Sequence, residues 1–150
     1  MASLTLIAPA GLGGRIDGAF IAALVAAERR RPAQEALARL VADPSLVSRE
    51  MVERFLRYKR LDGVPEALAT IAGQIADGER QTIDLAGRLP DLRVPLLVIA
   101  GAADAIVAPT ASGTIPATAE HHEVDAAGHL VHMEQSAIVN AQIASFIDRN

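Results

Sequence analysis

The sequence predicts an α/β fold built on a short parallel sheet, and three observations carry that expectation. Two continuous apolar runs, Leu4-Thr5-Leu6-Ile7-Ala8 and Leu96-Leu97-Val98-Ile99-Ala100, each end at a glycine-bearing turn, the pattern of strands covered on both faces. The long stretch between them has helical periodicity and no strand pattern. A last amphipathic segment over 136–148 can cover one side of a sheet. Strands alternating with helices in this way run parallel, joined by right-handed crossovers.

The first strand is closed by Pro9-Ala10-Gly11-Leu12-Gly13-Gly14, a glycine-rich turn. Helices are expected over 19–31, 32–41, 49–61 and 65–76, each bounded by proline, glycine or Asp-Pro. In the third, Ser48 is the cap, Met51, Val52, Phe55 and Leu56 form one apolar stripe, and Gly63 stands where a C-terminal cap belongs. In the fourth, Leu68, Ile71 and Ile75 form the buried stripe ahead of Gly78. A helix over 82–89 returns the chain to the second strand at 96–100. A third strand over 120–124 is placed by its position before the Ala126-Ala127-Gly128 turn. Val139, Ile143, Phe146 and Ile147 share one face of the last helix. The expected organisation is one compact unit: residues 15–80 as a helical insertion standing on a core made of 1–14 and 81–150.

The chain has 150 residues, about one domain's worth. Its net charge of −4 argues against a nucleic-acid partner, which needs a basic face. Apolar types make up 51% of it but aromatics only 3%, so a thin core is expected. The absence of cysteine excludes a disulfide scaffold, a thiolate metal site and a cysteine nucleophile. Neither of the longest apolar stretches, 18–27 and 94–103, reaches the roughly 18 residues of a spanning helix, so no membrane span is expected and cytoplasm is the default compartment. No basic segment precedes Leu4, which does not fit a signal peptide. A chain opening this directly in a strand is expected to be part of something longer.

Chemistry concentrates in two loops, Gly101-Ala102-Ala103-Asp104-Ala105-Ile106-Val107-Ala108-Pro109 and Gly128-His129-Leu130-Val131-His132-Met133-Glu134. Both follow the carboxyl ends of parallel strands, where open α/β sheets place their ligands. Asp104 and His129 can therefore meet: a carboxylate holding one ring nitrogen of a histidine leaves the other free to take a proton from a nucleophile. Asp125 is the fallback acid, expected to face solvent or anchor its turn. His129-x-x-His132-x-Glu134 contains zinc-ligand types without the spacing of a zinc signature, and Glu134 reads better as a helix-entry residue. His121, His122 and His132 read as surface or packing residues. Gly11-Leu12-Gly13-Gly14 invites a dinucleotide reading, but the third glycine of that fingerprint would fall at Ile16. Arg29-Arg30-Arg31 and Arg57-Tyr58-Lys59-Arg60 read as solvated helix faces, with attraction of a ligand's phosphates as the functional alternative.

Val94 to Asp104, followed by Ala127-Gly128-His129 and Glu134 ahead of a final amphipathic helix, resembles the C-terminal half of the α/β-hydrolases. The resemblance covers the whole chain. It implies the later strands of a parallel sheet carrying a helical cap, in a family whose catalytic order is nucleophile, acid, histidine. Asp104 would be the acid and His129 the general base. Leu4 to Gly13 together with Tyr58-Lys59-Arg60-Leu61-Asp62-Gly63-Val64 is most similar to the hydrolase-fold domain of the dihydrolipoamide acetyltransferase components of acetoin dehydrogenase complexes. That implies a small-molecule acyl substrate, with the lipoyl group and coenzyme A as substrates and not as bound cofactors, and subunits of a dehydrogenase complex as partners. The alternatives are a serine hydrolase acting on an ester, amide or thioester, and a non-catalytic docking half-domain.

The sequence departs from the family at one place. No Gly-x-Ser-x-Gly occurs: Ser3, Ser45, Ser48, Ser112, Ser136 and Ser145 all lack the paired glycines of the strained elbow. Two members of a triad are present without a nucleophile, and this chain alone is expected to be inactive. In the family's sheet the strand at 4–8 is interior. Without its second neighbour it becomes an open apolar edge, from which a homo-oligomer, most simply a two-fold dimer, is expected.

Overall fold

A computed structural model describes residues 2–107 and 114–150, so Ser112 and the Ala108-Pro109 end of the acid loop lie outside the described residues. The main sheet has three parallel strands, β1 (Leu4–Ile7), β4 (Leu96–Gly101) and β5 (Glu120–Val124), in the order β1-β4-β5. Leu4 lies beside Leu96 and Ile7 beside Ile99, while Leu97 lies beside Glu120 and Gly101 beside Val124. All three strands stand where the sequence places them.

Side chains alternate across a strand, and β4 uses both of its faces. Leu97 and Ile99 pack with Val124, Ala127, Val131, Val139 and Phe146 on one side, and Leu96 and Val98 with Leu12 and Leu89 on the other. Val139 and Phe146 come from α6 (Ser136–Arg149), which follows the short α5 (Val131–Glu134). Ile143 packs beside them, but Ile147, expected on the same face, is 58% exposed. β1 is half-buried along its length and, among the described residues, pairs with β4 alone.

Between β1 and β4 stand α1 (Gly18–Ala26), α2 (Arg30–Ala38), a 3-10 turn at Pro44–Leu46, α3 (Arg49–Lys59) and α4 (Val64–Ile75). Their starts are set locally. The Asp17 carboxylate accepts from the Phe20 amide, the Ser48 hydroxyl from the Met51 amide, and Gly63 takes the left-handed φ of +78° before Pro65 in the first turn of α4. Ala27, Ala33, Leu37, Val41, Val47, Val52 and Leu56 make a second small core.

Three expectations need correction. The helix over 82–89 does not form: a two-residue hairpin, β2 (Ala76–Asp77) and β3 (Arg80–Gln81), leads through extended chain to a 3-10 turn at Ala86–Asp91. The backbone groups a helix would use are spent elsewhere. The Leu85 amide donates to the Gly11 carbonyl at 2.7 Å, the Gln81 amide to Gly14 at 3.0 Å, and Asp84 accepts from the Ala86 amide. The stripe of α4 is not buried, Ile71 being 51% exposed, because it faces an open cavity. Lys59 does not belong to a solvated face: it is only 7% exposed, whereas Arg57, Tyr58 and Arg60 are exposed. Its ammonium occupies the carbonyl end of α1, which explains why that helix stops at Ala26, short of the 31 expected. Among the described residues no helix is long and apolar enough to cross a membrane.

Candidate active site

Asp104 sits in the turn leaving β4, where its amide donates to the Gly101 carbonyl. One carboxylate oxygen, Oδ1, accepts from the amides of Ile106 at 2.8 Å and Val107 at 3.0 Å. The other, Oδ2, meets Nδ1 of His129 at 2.8 Å. The two residues singled out from the sequence are thus in hydrogen-bond contact, and the turn-capping use of Asp104 is present at the same time, one oxygen for each task.

Burial pushes the Asp104 carboxyl upward, but the hydrogen bonds from His129 and from the Val107 and Ile106 amides outweigh it and hold the group below its usual value. An ionised carboxylate at Oδ2 makes Nδ1 of the neutral ring the protonated nitrogen and leaves Nε2 as the acceptor. The Asp104 side chain is 7% exposed and that of His129 25%, so the acid is sheltered while the imidazole stays accessible.

The two loops are stitched together by backbone. The Ala102 amide donates to Val124 and the Ala103 amide to Ala127, both at 2.9 Å. Gly101 permits this approach, since a β-carbon there would lie 2.2 Å from the Gly128 carbonyl oxygen. The base loop is also tied to the helical layer: Leu130 donates to the Leu40 carbonyl, and Glu134 accepts from the Gly128 amide through one oxygen and from the Ala42 amide through the other, each at 2.7 Å. Sequence reasoning missed this role of Glu134. A carboxylate six residues after Gly128, close enough in sequence to reach back to a free amide, was the available signal.

The remaining candidates fall outside this arrangement. Asp125, His121 and His132 are exposed, and Glu134 has both oxygens engaged by amides, so the zinc-type triplet does not assemble around His129. The glycine-rich turn is occupied by its own chain, with the Gly11 amide donating to the Gln81 side chain. Among the described residues no serine hydroxyl is hydrogen-bonded to His129; Ser48 caps α3 and Ser45 bonds Asp43.

Beside His129 opens an apolar cavity of about 300 Å³. Phe20, Ile21, Leu24 and Val25 of α1 and Leu68, Ile71 and Ile75 of α4 line it, with Ile106 and Val107 from the acid loop. An imidazole held by a carboxylate and lining an apolar cleft suits a reaction at a polar carbon that carries a small apolar group.

A meta-cleavage product hydrolase from Pseudomonas fluorescens matches the structure with a TM-score of 0.80 at 18% identity, over 99% of this chain and 56% of that one. Carboxylesterase CesB from Bacillus subtilis matches with a TM-score of 0.74 at 18% identity, over 99% and 52%. This chain has the α/β-hydrolase fold. No family model matches it. Within the α/β-hydrolases its sequence is similar to the dihydrolipoyllysine-residue acetyltransferase component of the acetoin cleaving system of Pseudomonas putida, 43% identical over 150 residues, all of this chain and 40% of that protein. The component of the same name from Cupriavidus necator is 34% identical over 139 residues, 93% of this chain and 37% of that protein. The chain therefore spans about two fifths of the curated relatives it matches and about half of the hydrolases it superposes on.

Proposed function

We propose that this chain supplies the acid, the base and the acyl-binding wall of a domain that moves acetyl from a dihydrolipoyl thioester to coenzyme A, as part of an acetoin-cleaving dehydrogenase complex. The 2.8 Å contact between Asp104 and His129, with His129 lining the apolar cavity, carries this reading. The names of the relatives supply the acyl donor.

In this reading Nε2 of His129 takes the proton of a serine hydroxyl contributed by a part of the domain outside this chain, as that oxygen attacks the thioester carbonyl. Asp104 keeps the ring oriented and stabilises the imidazolium. Collapse of the tetrahedral intermediate breaks the carbon–sulfur bond, and His129 returns the proton to the departing dihydrolipoyl thiol. The coenzyme A thiol then gives its proton to His129 and attacks the acyl-serine, and the serine oxygen recovers that proton as it leaves. Hydrolysis is the second reading, favoured by the hydrolases and esterases among the structural neighbours; water would then take the place of the coenzyme A thiol.

The test is a chimera in which this chain replaces the matched 150 residues of the Pseudomonas putida relative. The chimera is expected to transfer acetyl from S-acetyldihydrolipoamide to coenzyme A, and His129→Ala to lower that rate by about 10²–10⁴. A folded chimera that cleaves p-nitrophenyl acetate without passing acetyl to coenzyme A would select the hydrolytic reading; one that does neither would overturn both. Expressed by itself, the chain is expected to cover the open side of β1 with a second copy and to sediment as a dimer. A monomer with a cooperative thermal transition would refute that.

A further inference from the structure

A helix leaves its last four carbonyls without partners inside it, and α1 has no basic residue in its last turn to serve them. The cation comes from another element. Lys59, in the last turn of α3, donates to the carbonyls of Val25 at 2.5 Å, Ala27 at 2.8 Å and Leu24 at 3.1 Å, which uses all three hydrogens of its ammonium. It also lies 5.5 Å from the centre of the Phe55 ring, and among the described residues no carboxylate is within ion-pair distance of it. Burial pushes this ammonium below the usual lysine value against the pull of Glu28. Placing a cation at the end of a helix also favours the helix dipole.

Two of those three carbonyls belong to Leu24 and Val25, whose side chains form part of the wall of the cavity beside His129. Phe20 anchors the start of α1 in a small core with Ile16, Ile106 and Val107. The end of the helix packs through Leu24 and Ala27 on the second small core, and Lys59 supplies its polar anchor. Because the wall opposite, α4, has no buried residue, the seating of the Leu24–Val25 turn decides how far the cavity reaches from the imidazole.

We propose that Lys59 is a positioning residue that sets the length of acyl chain the cavity accepts, by holding the Leu24–Val25 turn of α1 in place. The inference rests on the acyl-transfer reading and adds to it a residue that touches no substrate. A lysine that only stabilised the fold would weaken binding of every acyl group alike. One that sets depth changes the ratio between short and long chains, and each methylene gained or lost from contact changes affinity by about fourfold.

The experiment uses the full 150-residue chain and the acetyl, butyryl and hexanoyl thioesters of N-acetylcysteamine, with dissociation constants read from methyl chemical shifts. Lys59→Met is expected to change the hexanoyl-to-acetyl ratio by about fourfold or more. Lys59→Arg, whose planar fork does not reproduce three convergent donors, is expected to change it in the same direction and by less. Circular dichroism identifies the variants that fold, and an unchanged ratio in whichever of the two folds would overturn the role of Lys59. Failure of the unaltered chain to bind any of the three thioesters would instead overturn the acyl-cavity reading, and this inference with it.

Discussion

The loops that hold Asp104 and His129 and the helical wall that faces them are built by opposite means. The polar groups that tie the loops together are committed: Asp104 through both oxygens, Glu134 through both oxygens, and the amides of Ala102, Ala103, Gly128 and Leu130 through backbone or carboxylate partners. The wall is apolar contact with few fixed directions, and α4 leaves Ile71 half exposed above the cavity. Hydrogen bonds fix angles, and dispersion contacts mainly fill space. A proton-transfer pair needs the first, whereas an acyl chain that enters and leaves is served by the second.

The comparison breaks most sharply at Asp104. In the chimera, Asp104→Asn is expected to lower kcat by about 10³–10⁴, since an amide in that place no longer enforces the tautomer with Nε2 free. Substrate binding by the apolar wall should hardly change, so KM stays near its original value, and a rise in KM with kcat preserved would contradict the division of labour. The same carboxyl has a stability signature. Its value in the folded chain lies below the ordinary 3.8, so its contribution is fully present above that value and is lost as the pH falls through the folded-state value. Urea unfolding between pH 6 and 3 should show a decline toward the acid end that Asp104→Asn makes shallower, the remainder belonging to Asp43, Glu53 and Glu120, which are lowered too.

Next in size is Gly101→Ala. A β-carbon 2.2 Å from the Gly128 oxygen and 2.4 Å from the Ala127 oxygen meets backbone that is itself hydrogen-bonded, so the two loops must separate. A loss of about 3 kcal/mol or more is expected in chemical denaturation. Gly14→Ala, where nothing lies within 4 Å of the added carbon, is the control that should leave stability nearly unchanged.

Both strengths of the sequence reading and its failures follow from range. β1 and β4 are legible because a strand that packs on both faces shows as an unbroken apolar run, and the meeting of Asp104 with His129 because both follow strand ends of one parallel sheet. The segment over 82–89 forms no helix because the Thr82 amide is taken by the Ile75 carbonyl and the Leu85 amide by that of Gly11, which no local pattern shows. Lys59 looked like part of a charged face because its partners are carbonyls 32 to 35 residues earlier. Glu134 reaches an amide 92 residues away, and only the fold brings the end of α2 to the base loop. α4 failed in a different way: an amphipathic stripe states that a face is apolar, and it does not state whether protein or substrate covers it.

A smaller effect sharpens the point about coupling between the regions. Glu134→Gln keeps one acceptor and loses the other, so one of the two amides, Gly128 or Ala42, is left without its carboxylate partner. A cost of about 1–3 kcal/mol is expected. If the loop carrying His129 depends on the helical layer for its position, kcat falls with it; stability lost with kcat intact would show that the Leu130–Leu40 hydrogen bond suffices to hold the loop.

The smallest expected change in stability is at Ile71, and it separates the two regions most cleanly. At 51% exposure Ile71 gives little to the folded state, so Ile71→Ser should alter the unfolding free energy by no more than about 0.5 kcal/mol. Yet the residue lines the cavity, and an acyl chain seated there would cover it. Removing that surface from the bound state should weaken binding of the hexanoyl thioester by several-fold while leaving the acetyl thioester, too short to reach far from His129, nearly unaffected. Equal weakening of both would place Ile71 close to the reacting carbon, and weakening of neither would mean that the chain runs along α1 alone. A large loss of stability would instead show that α4 is a packed element of the fold, which would erase the contrast between a fixed catalytic edge and an adaptable wall.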